Sequence, residues 1–408
     1  MRVLYFHQHF STPDGSAGIR SYQMARKLVS QGHQVTMVCG SYGGGKTGLT
    51  QAFRFGKRVG QVDGIDVIEF DLAYSNRDGF VKRTSLFLLF ALRSVIVALT
   101  AKYDLVFATT TPLTAGIPGI FARWIRFKPF VFEVRDLWPE LPKAMGVISN
   151  PVVLGAMSVL EWLSYRSAHQ CIGLSPGIVD GIVARGVAKE KVKLIPNGCD
   201  LDIFGNGEAQ RPEGVLETDL MAIFAGTHGI ANGLDSALDA ALKLIQLGRT
   251  DIKLVLIGSG KLKSHLVARA SDENLSNVLF FDPVNKSDLS KLLAGADIGL
   301  QLLANIPAFY YGTSPNKFFD YIAAGLPVLN NYPGWIAELV TANQCGFSVG
   351  PEDSDQFAAA LVGAADNKSK LIGMGLNSRR LAERDFDRDL LAANWVNVIE
   401  GVINEARN

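Results

Sequence analysis

The sequence predicts an α/β protein of two doubly wound, Rossmann-like domains. Three observations carry this. Short apolar runs alternate with longer helical stretches along the 408 residues. The runs are continuous rather than alternating, as in parallel strands covered by helices on both faces. The alternation pauses once, around residues 196–212, which divides it into two similar halves.

Taken in order, the first half offers strands at residues 3–6, 35–38, 67–70, 105–108, 130–134, 171–174 and 192–195. The pause holds Pro196-Asn197-Gly198 and Asp200-Leu201-Asp202, then a Gly/Asn/Pro-rich stretch that reads as a linker. The second half offers strands at 221–225, 253–257, 278–281, 298–302, 328–330 and 346–349. Beyond Asp353 the pattern is helical to the end, with a last helix near residues 390–406. The expected domains are 1–199, joined by the helix at about 386–408, and 200–385. Two such folds facing each other would leave a cleft at the carboxyl ends of their strands, where ligands of open parallel sheets bind.

Composition narrows the function. The chain is 48% apolar and 19% charged, as expected of a globular protein. Forty basic against 39 acidic side chains leave a net charge of +1, with no global pull towards nucleic acid. Cys39, Cys171, Cys199 and Cys345 lie far apart, without metal-ligand spacing or a disulfide pattern. Met1 leads directly into the first strand, so a cytoplasmic protein is expected.

After the first strand, the small residues from Ser11 to Gly18 enter a helix near Ile19, a turn at which backbone N–H groups can approach an anion. Gly15, Ser16 and Gly18 are the candidates there. Residues 40–47, Gly-Ser-Tyr-Gly-Gly-Gly-Lys-Thr, match the phosphate-loop pattern of nucleotide triphosphatases. Such an enzyme also needs a helix at the Lys and an acid ending a neighbouring strand. Gly48 follows Thr47, and the strand at 105–108 ends in three threonines, so a mobile surface loop is expected instead. The fifth strand ends in Glu133-Val134-Arg135-Asp136-Leu137-Trp138-Pro139-Glu140. Charges gathered at a strand end are costly to place for structure alone. Either they form a salt-bridged corner, or Arg135 and Asp136 face the cleft while Glu133, Trp138 and Glu140 shape an acceptor pocket.

In the second half two glycine turns follow neighbouring strands: Gly226-Thr227-His228-Gly229 and Gly258-Ser259-Gly260. With a helix N-terminus behind each, they would cradle a diphosphate. His228 reads as a contact only, and Val284, after the strand at 278–281, is counted on the same side. Ser314-Pro315-Asn316-Lys317 then opens a helix carrying Asp320. Lys317 and Asp320 are three apart and share a helical face. A cation there suits a diphosphate, and a carboxylate suits paired ribose hydroxyls. A surface ion pair is the plainer alternative.

Taken together, residues 132–139, 174–177 (Leu-Ser-Pro-Gly), 195–200 (Ile-Pro-Asn-Gly-Cys-Asp), 225–229 and 315–327 resemble the family-4 retaining glycosyltransferases of the two-Rossmann GT-B architecture. The similarity spans nearly the whole chain. It is closest to the bacterial O-antigen and capsule branch that includes N-acetyl-L-fucosamine transferases. The resemblance implies an N-terminal acceptor domain, a C-terminal donor domain and a last helix crossing back to the N-terminal side. It implies transfer with retention, without a required metal or cofactor. A UDP-sugar would be the substrate, and a polyprenyl-pyrophosphate-linked saccharide the acceptor. Asp320 would replace the second acid of the family's Glu-x7-Glu motif and hold the ribose; Gly312 stands where the first acid is expected. Gly226, Thr227 and Lys317 would serve the diphosphate, approached by Gly15 and Gly18 from the other lobe. Arg135, Asp136 and Lys317 would carry the chemistry.

Residues 84–101 are almost wholly apolar apart from Arg93, and residues 77–128 hold eight basic and two acidic side chains. A charge at mid-bilayer argues against a spanning helix. A basic, apolar surface resting on anionic lipid is one reading, and a core helix is the other. Other functions differ in class: a family-4 enzyme with a soluble acceptor, a nucleotide-hydrolysing regulator using residues 40–47, or a sugar-nucleotide epimerase.

Overall fold

The computed structural model describes residues 1–15, 18–43, 45–75, 78–205 and 207–407. The chain forms two compact units. The first comprises Met1–Pro196, Gly312–Ser314 and Asp389–Asn408, and the second Asn197–Tyr311 and Pro315–Arg388. The division falls after Pro196 rather than after Cys199. Cys199 pairs with the Phe386–Arg388 segment of the second unit through backbone hydrogen bonds.

The first unit is an eight-stranded sheet. Its strands are β1 (Arg2–Phe6), β2 (Gln34–Tyr42), β3 (Lys57–Val62), β4 (Ile65–Tyr74), β5 (Leu105–Thr109), β6 (Phe130–Val134), β7 (Gln170–Gly173) and β8 (Val192–Leu194). They lie in the order β3-β4-β2-β1-β5-β6-β7-β8, and only β3 is antiparallel to its neighbour. Helices α1 (Arg20–Ser30), α2 (Phe80–Thr100), α3 (Ile117–Ile125), α4 (Glu140–Ala144), α5 (Pro151–Ser167) and α6 (Pro176–Ala184) connect them. Apolar residues of α2, α3, α5 and α6 share one core with the sheet, among them Phe90, Ala122, Tyr165 and Ile178. Met24 and Leu28 of α1 share the other core with Trp395, Ile399 and Ile403 of the last helix. With both faces covered, the central strands must be apolar throughout, which is why they read as continuous runs.

β3 has no such signature. It is an edge strand whose residues are exposed or half-buried. Its hairpin with β4 turns at Asp63-Gly64, both with positive φ (49° and 82°), the conformation of a type I′ turn. That Asp-Gly pair was the available sequence signal.

The second unit holds β9 (Leu220–Ala225), β10 (Ile252–Ile257), β11 (Val278–Phe281), β12 (Ile298–Gln301), β13 (Val328–Asn330) and β14 (Gly346–Ser348). All are parallel, in the order β11-β10-β9-β12-β13-β14. The helices are α7 (Asp235–Gln246), α8 (Lys263–Asp272), α9 (Lys286–Ala294), α10 (Pro307–Gly312), α11 (Asn316–Ala323), α12 (Trp335–Ala342), α13 (Ser354–Asp366) and α14 (Lys368–Asp385). α15 (Arg388–Arg407) follows, and from Asp389 it counts with the first unit. Each sheet has one point where strand order reverses: between β1 and β5, and between β9 and β12. Open α/β sheets bind ligands beyond the carboxyl ends of strands at such points.

Candidate functional site

In the second unit the reversal point is built from two interlocked glycine turns. Gly226 follows β9 and donates its N–H to Ile257 O at 2.9 Å, and His228 N–H donates to Ser259 O at 3.0 Å. A Cβ on Gly258 would lie 1.8 Å from Gly226 O, and one on Gly260 2.3 Å from His228 O. Only glycine permits this approach. Behind the first turn, a short 3₁₀ turn, Ile230–Asn232, leads to α7, which is capped at Leu234 and starts at Asp235. Behind the second turn, Lys263 of α8 donates to Gly258 O (2.9 Å) and pairs with Asp282 (2.6 Å).

Lys317 enters this place from the first turn of α11. Its Nζ donates to Asn232 Oδ1 at 2.6 Å and lies 4.5 Å from the Phe224 ring centroid and 3.5 Å from Leu302 O, just beyond β12. A Cβ on Gly226 would stand 3.4 Å from Lys317 Cε. Among the described residues no carboxylate pairs with Lys317, and burial lowers its pKa to about 7. A cation held at this cost, with phenyl and amide neighbours, is ready for an anion. Thr227 is exposed, Gly229 and Ser259 are half-buried, and both ring nitrogens of the buried His228 lack a partner among the described residues. Burial lowers the His228 pKa to about 4, so its ring is neutral.

Asp320 sits one turn along α11 but does not meet Lys317. It belongs to a buried network in which Lys286 Nζ lies 3.4 Å from Asp320 and 2.7 Å from Asp200, and Arg388 binds Asp200 and the Gly198 carbonyl. Burial raises the Asp320 pKa despite Lys286. Burial would do the same to Asp200, but Arg388 and Lys286 hold it below the usual range. Pro315 caps α11, Asn316 is exposed, and Val284 is half-buried in the turn before α9.

In the first unit, Glu133 is 0% exposed. Arg20 of α1 donates to its Oε2 at 2.9 and 3.1 Å, and to the carbonyls of Ile195 and Pro196. Burial alone would push the Glu133 pKa up; Arg20, Arg135 and the hydrogen bonds hold it down. Glu133 is therefore a structural anion rather than a wall of an acceptor pocket. Arg135 donates to Thr109 Oγ1 (2.9 Å) and Ser21 Oγ (2.8 Å). Asp136 accepts from Thr111 Oγ1 at 3.1 Å, and burial raises its pKa. Trp138 is half-buried, and its Nε1 has no partner among the described residues. The exposed Glu140 pairs with Arg185 on the surface. Gly15 N–H donates to Thr12 O, Gly18 is exposed, and Ser16 lies outside the described residues.

No helix opens at Lys46. Gly40 to Tyr42 belong to β2, and Thr47 bonds the buried Glu69. Lys46 itself is tied to Ser11 and Thr12 at 3.1 and 2.9 Å.

Two family descriptions fit the chain: a glycosyl transferase 4-like domain over residues 15–198, and glycosyl transferases group 1 over residues 220–367. Over 219 residues the chain is 27% identical to the MMP α-(1→4)-mannosyltransferase of Mycolicibacterium hassiacum, covering 53% of this chain and 50% of that protein. It is 26% identical over 218 residues to the GDP-mannose-dependent monoacylated α-(1-6)-phosphatidylinositol monomannoside mannosyltransferase of Corynebacterium glutamicum, covering 50% and 55%. The chain spans about half the length of the curated relatives it matches. Its fold is similar to that of sucrose-phosphate synthase from Thermosynechococcus elongatus (TM-score 0.77, 16% identity, 99% of both chains). It is also similar to that of Anabaena HepE in complex with UDP-glucose (TM-score 0.71, 18% identity, 98% of this chain and 100% of that one). This is the GT-B fold. The chain belongs to the family-4 glycosyltransferases.

Several buried charges of this family-4 protein escaped sequence reasoning. Lys286 reads as an ordinary first-turn residue of α9, and Asp200 as part of a linker. Arg20 looks like any cation on an amphipathic helix. Their partners lie 34 to 188 residues away in sequence, so no local spacing could reveal them.

Proposed function

We propose that this chain moves a sugar from a UDP-linked donor to a hydroxyl of a lipid-pyrophosphate-linked saccharide, with retention, in surface polysaccharide assembly. The donor sugar is an N-acetyl-hexosamine or its 6-deoxy form, such as N-acetylfucosamine. One observation carries the reading: an ammonium with no carboxylate partner among the described residues, beside two interlocked glycine turns at the reversal point of the second sheet. The backbone of Gly226, Thr227, Gly258 and Ser259 and the Lys317 ammonium take the diphosphate, while Asp320 holds the ribose. Lys317 stabilises the charge that develops as the glycosidic bond to the diphosphate breaks. The departing phosphate takes the proton of the acceptor hydroxyl, which Asp136 orients, so the new bond forms on the face the diphosphate leaves. No metal or cofactor is required in this scheme.

The UDP-glucose bound to HepE supports a uridine donor, and the printed name of the Corynebacterium relative supports GDP-mannose as the second reading. Incubation with UDP- and GDP-sugars and a polyprenyl-pyrophosphate saccharide, followed by product mass, decides between them. A product one sugar heavier from a UDP-sugar is expected. Transfer from GDP-mannose alone would overturn the uridine assignment, and free altered sugar nucleotide would point to an epimerase.

A peripheral position on the inner face of the cell membrane belongs to the same proposal. α2 is long and apolar enough to span a bilayer, yet Phe90, Ala91, Ser94 and Ala98 are buried against the domain. Arg93 is turned to the domain and donates to Gly56 O at 3.0 Å. α2 packs on α3 and α3 on α5, leaving Leu88, Leu92, Ile96, Trp124, Ile125, Val159 and Trp162 about half exposed or more. Lys102, Arg123, Lys128 and Arg166 accompany them. Apolar residues with basic neighbours suit anionic lipid. The protein is expected to float with anionic liposomes at low salt, and Leu92→Asp with Trp124→Ala to stay behind. Absence of flotation by the unaltered protein would rule the surface out.

A further inference from the structure

A second group of polar side chains lies beyond the carboxyl ends of β1 and β5, at the reversal point of the first sheet. β1 ends at Phe6, and His7, Gln8 and His9 follow. His7 and Gln8 are 3% and 1% exposed. Among the described residues, His7 Nδ1, both polar atoms of the Gln8 amide, His9 Nε2 and Arg83 Nε are buried without a hydrogen-bond partner, while the Arg83 guanidinium also bonds the Tyr74 hydroxyl. Native interiors leave few such atoms unpaired, and four adjoining side chains need an explanation. An aromatic wall stands beside them: the rings of Tyr74, Tyr42 and Phe87 lie 4.6, 5.0 and 6.2 Å from that of His9. Arg83 lies 5.8 Å from the Tyr74 ring. Thr111 ties the group to the proposed acceptor-orienting carboxylate, since its backbone bonds His9 and its hydroxyl donates to Asp136.

We propose that His7, Gln8 and His9, with the Tyr42, Tyr74 and Phe87 rings, form a subsite for the terminal sugar ring of the acceptor, and that Arg83 meets the phosphate attached to it. The chemistry fits a carbohydrate. An amide offers a donor and an acceptor to neighbouring hydroxyls, and the neutral His9 ring, whose other nitrogen bonds the Thr111 backbone, offers Nε2 as an acceptor. Burial, Arg135 and Arg83 keep the His9 ring neutral near pH 7, its pKa being lowered to about 4. Aromatic faces cover the apolar C–H face of a pyranose, and a few placed polar groups then fix its orientation. This subsite rests on the transfer reading, because Asp136 is its link to the reacting hydroxyl.

The test uses Gln8→Leu and His9→Phe, which remove the polar atoms and preserve volume, and Arg83→Gln. Octyl N-acetyl-β-glucosaminide and N-acetylglucosamine 1-phosphate are the probes, followed by saturation-transfer NMR without donor. The unaltered protein is expected to bind both, and Gln8→Leu and His9→Phe to weaken both about tenfold or more. Arg83→Gln should weaken only the phosphate. Gln8→Leu should melt no lower than the parent, since no internal hydrogen bond is lost. UDP-induced thermal shifts should be unchanged in all three variants. Equal glycoside binding by parent and variants, no binding by the parent, or a lower melting temperature for Gln8→Leu would each overturn the subsite. Sugar transfer with an unchanged acceptor KM in both volume-preserving variants would overturn it and leave the transfer reading standing. Glycoside binding lost in the variants, without transfer by the parent from any donor, would support the subsite and sink the transfer reading.

Discussion

Replacing Lys317 with methionine is expected to lower sugar-transfer turnover by about 10²- to 10³-fold, the usual loss when one preorganised donor to a developing negative charge is removed. The fold should survive. Lys317 gives up a hydrogen bond to Asn232, a long one to Leu302 O, and no ion pair among the described residues, while methionine keeps the contact with Phe224. Because burial holds the free ammonium at about pKa 7, an anionic diphosphate beside it must raise that value. Donor binding between about pH 7 and 9 should therefore take up a proton, visible as a binding enthalpy that depends on the buffer's own ionisation heat. Lys317→Met should show no uptake. The sign for stability is also defined. The folded pKa lies below the unfolded value, so the unfolded chain binds the extra proton between about pH 7 and 10.4, and ligand-free stability from this group rises across that window. Transfer by Lys317→Met within twofold of the parent would remove Lys317 from the mechanism.

The second large effect is on stability. Arg20→Met should cost about 3–5 kcal/mol, because it leaves a carboxylate charge buried without its main partner. Arg20 and Glu133 are 2% and 0% exposed, and the guanidinium also satisfies the Ile195 and Pro196 carbonyls. Urea unfolding followed by tryptophan fluorescence would read the loss. Combining Arg20→Met with Glu133→Leu should recover part of it, since an apolar pair asks no charge to leave water. A strictly additive double variant would refute the pairing. The pH dependence separates the proteins. In the parent, the Glu133 pKa is depressed, so its stabilisation is present above the unfolded value near 4.3 and is lost as pH falls. In Arg20→Met only Arg135 and the Thr109 hydrogen bond still oppose burial, so the depression weakens and the deficit should shrink as pH falls towards 4.

Strands buried on both faces were legible because burial dictates their composition. Phe130–Val134 and Leu220–Ala225 could hardly read otherwise. The edge strand β3 was not, since half of its residues meet water and no periodic apolar run is required there. At the site, Pro315, Lys317 and the two glycine turns were legible, because a helix start and a close backbone approach each restrict residue type locally. The Lys317–Asp320 helical face proved true in register and different in use: the two side chains serve separate groups of partners. The phosphate-loop match at 40–47 shows how little local letters carry by themselves: they agree, but the segment that follows is not a helix, as Gly48 indicated.

By itself, then, the sequence determined two wound domains, the boundary region between them, and the Pro-Asn-Lys helix start with its glycine turns. These follow from periodicity, backbone sterics and helix capping, which act within a few residues. The tertiary structure decided which charges meet. Strand order brings Gly226 beside Gly258, Lys317 to Asn232 and Leu302, and Arg20 to Glu133. Such pairs are set by sheet topology, and the desolvation that tunes Lys317 and Glu133 exists only once the layers close over them.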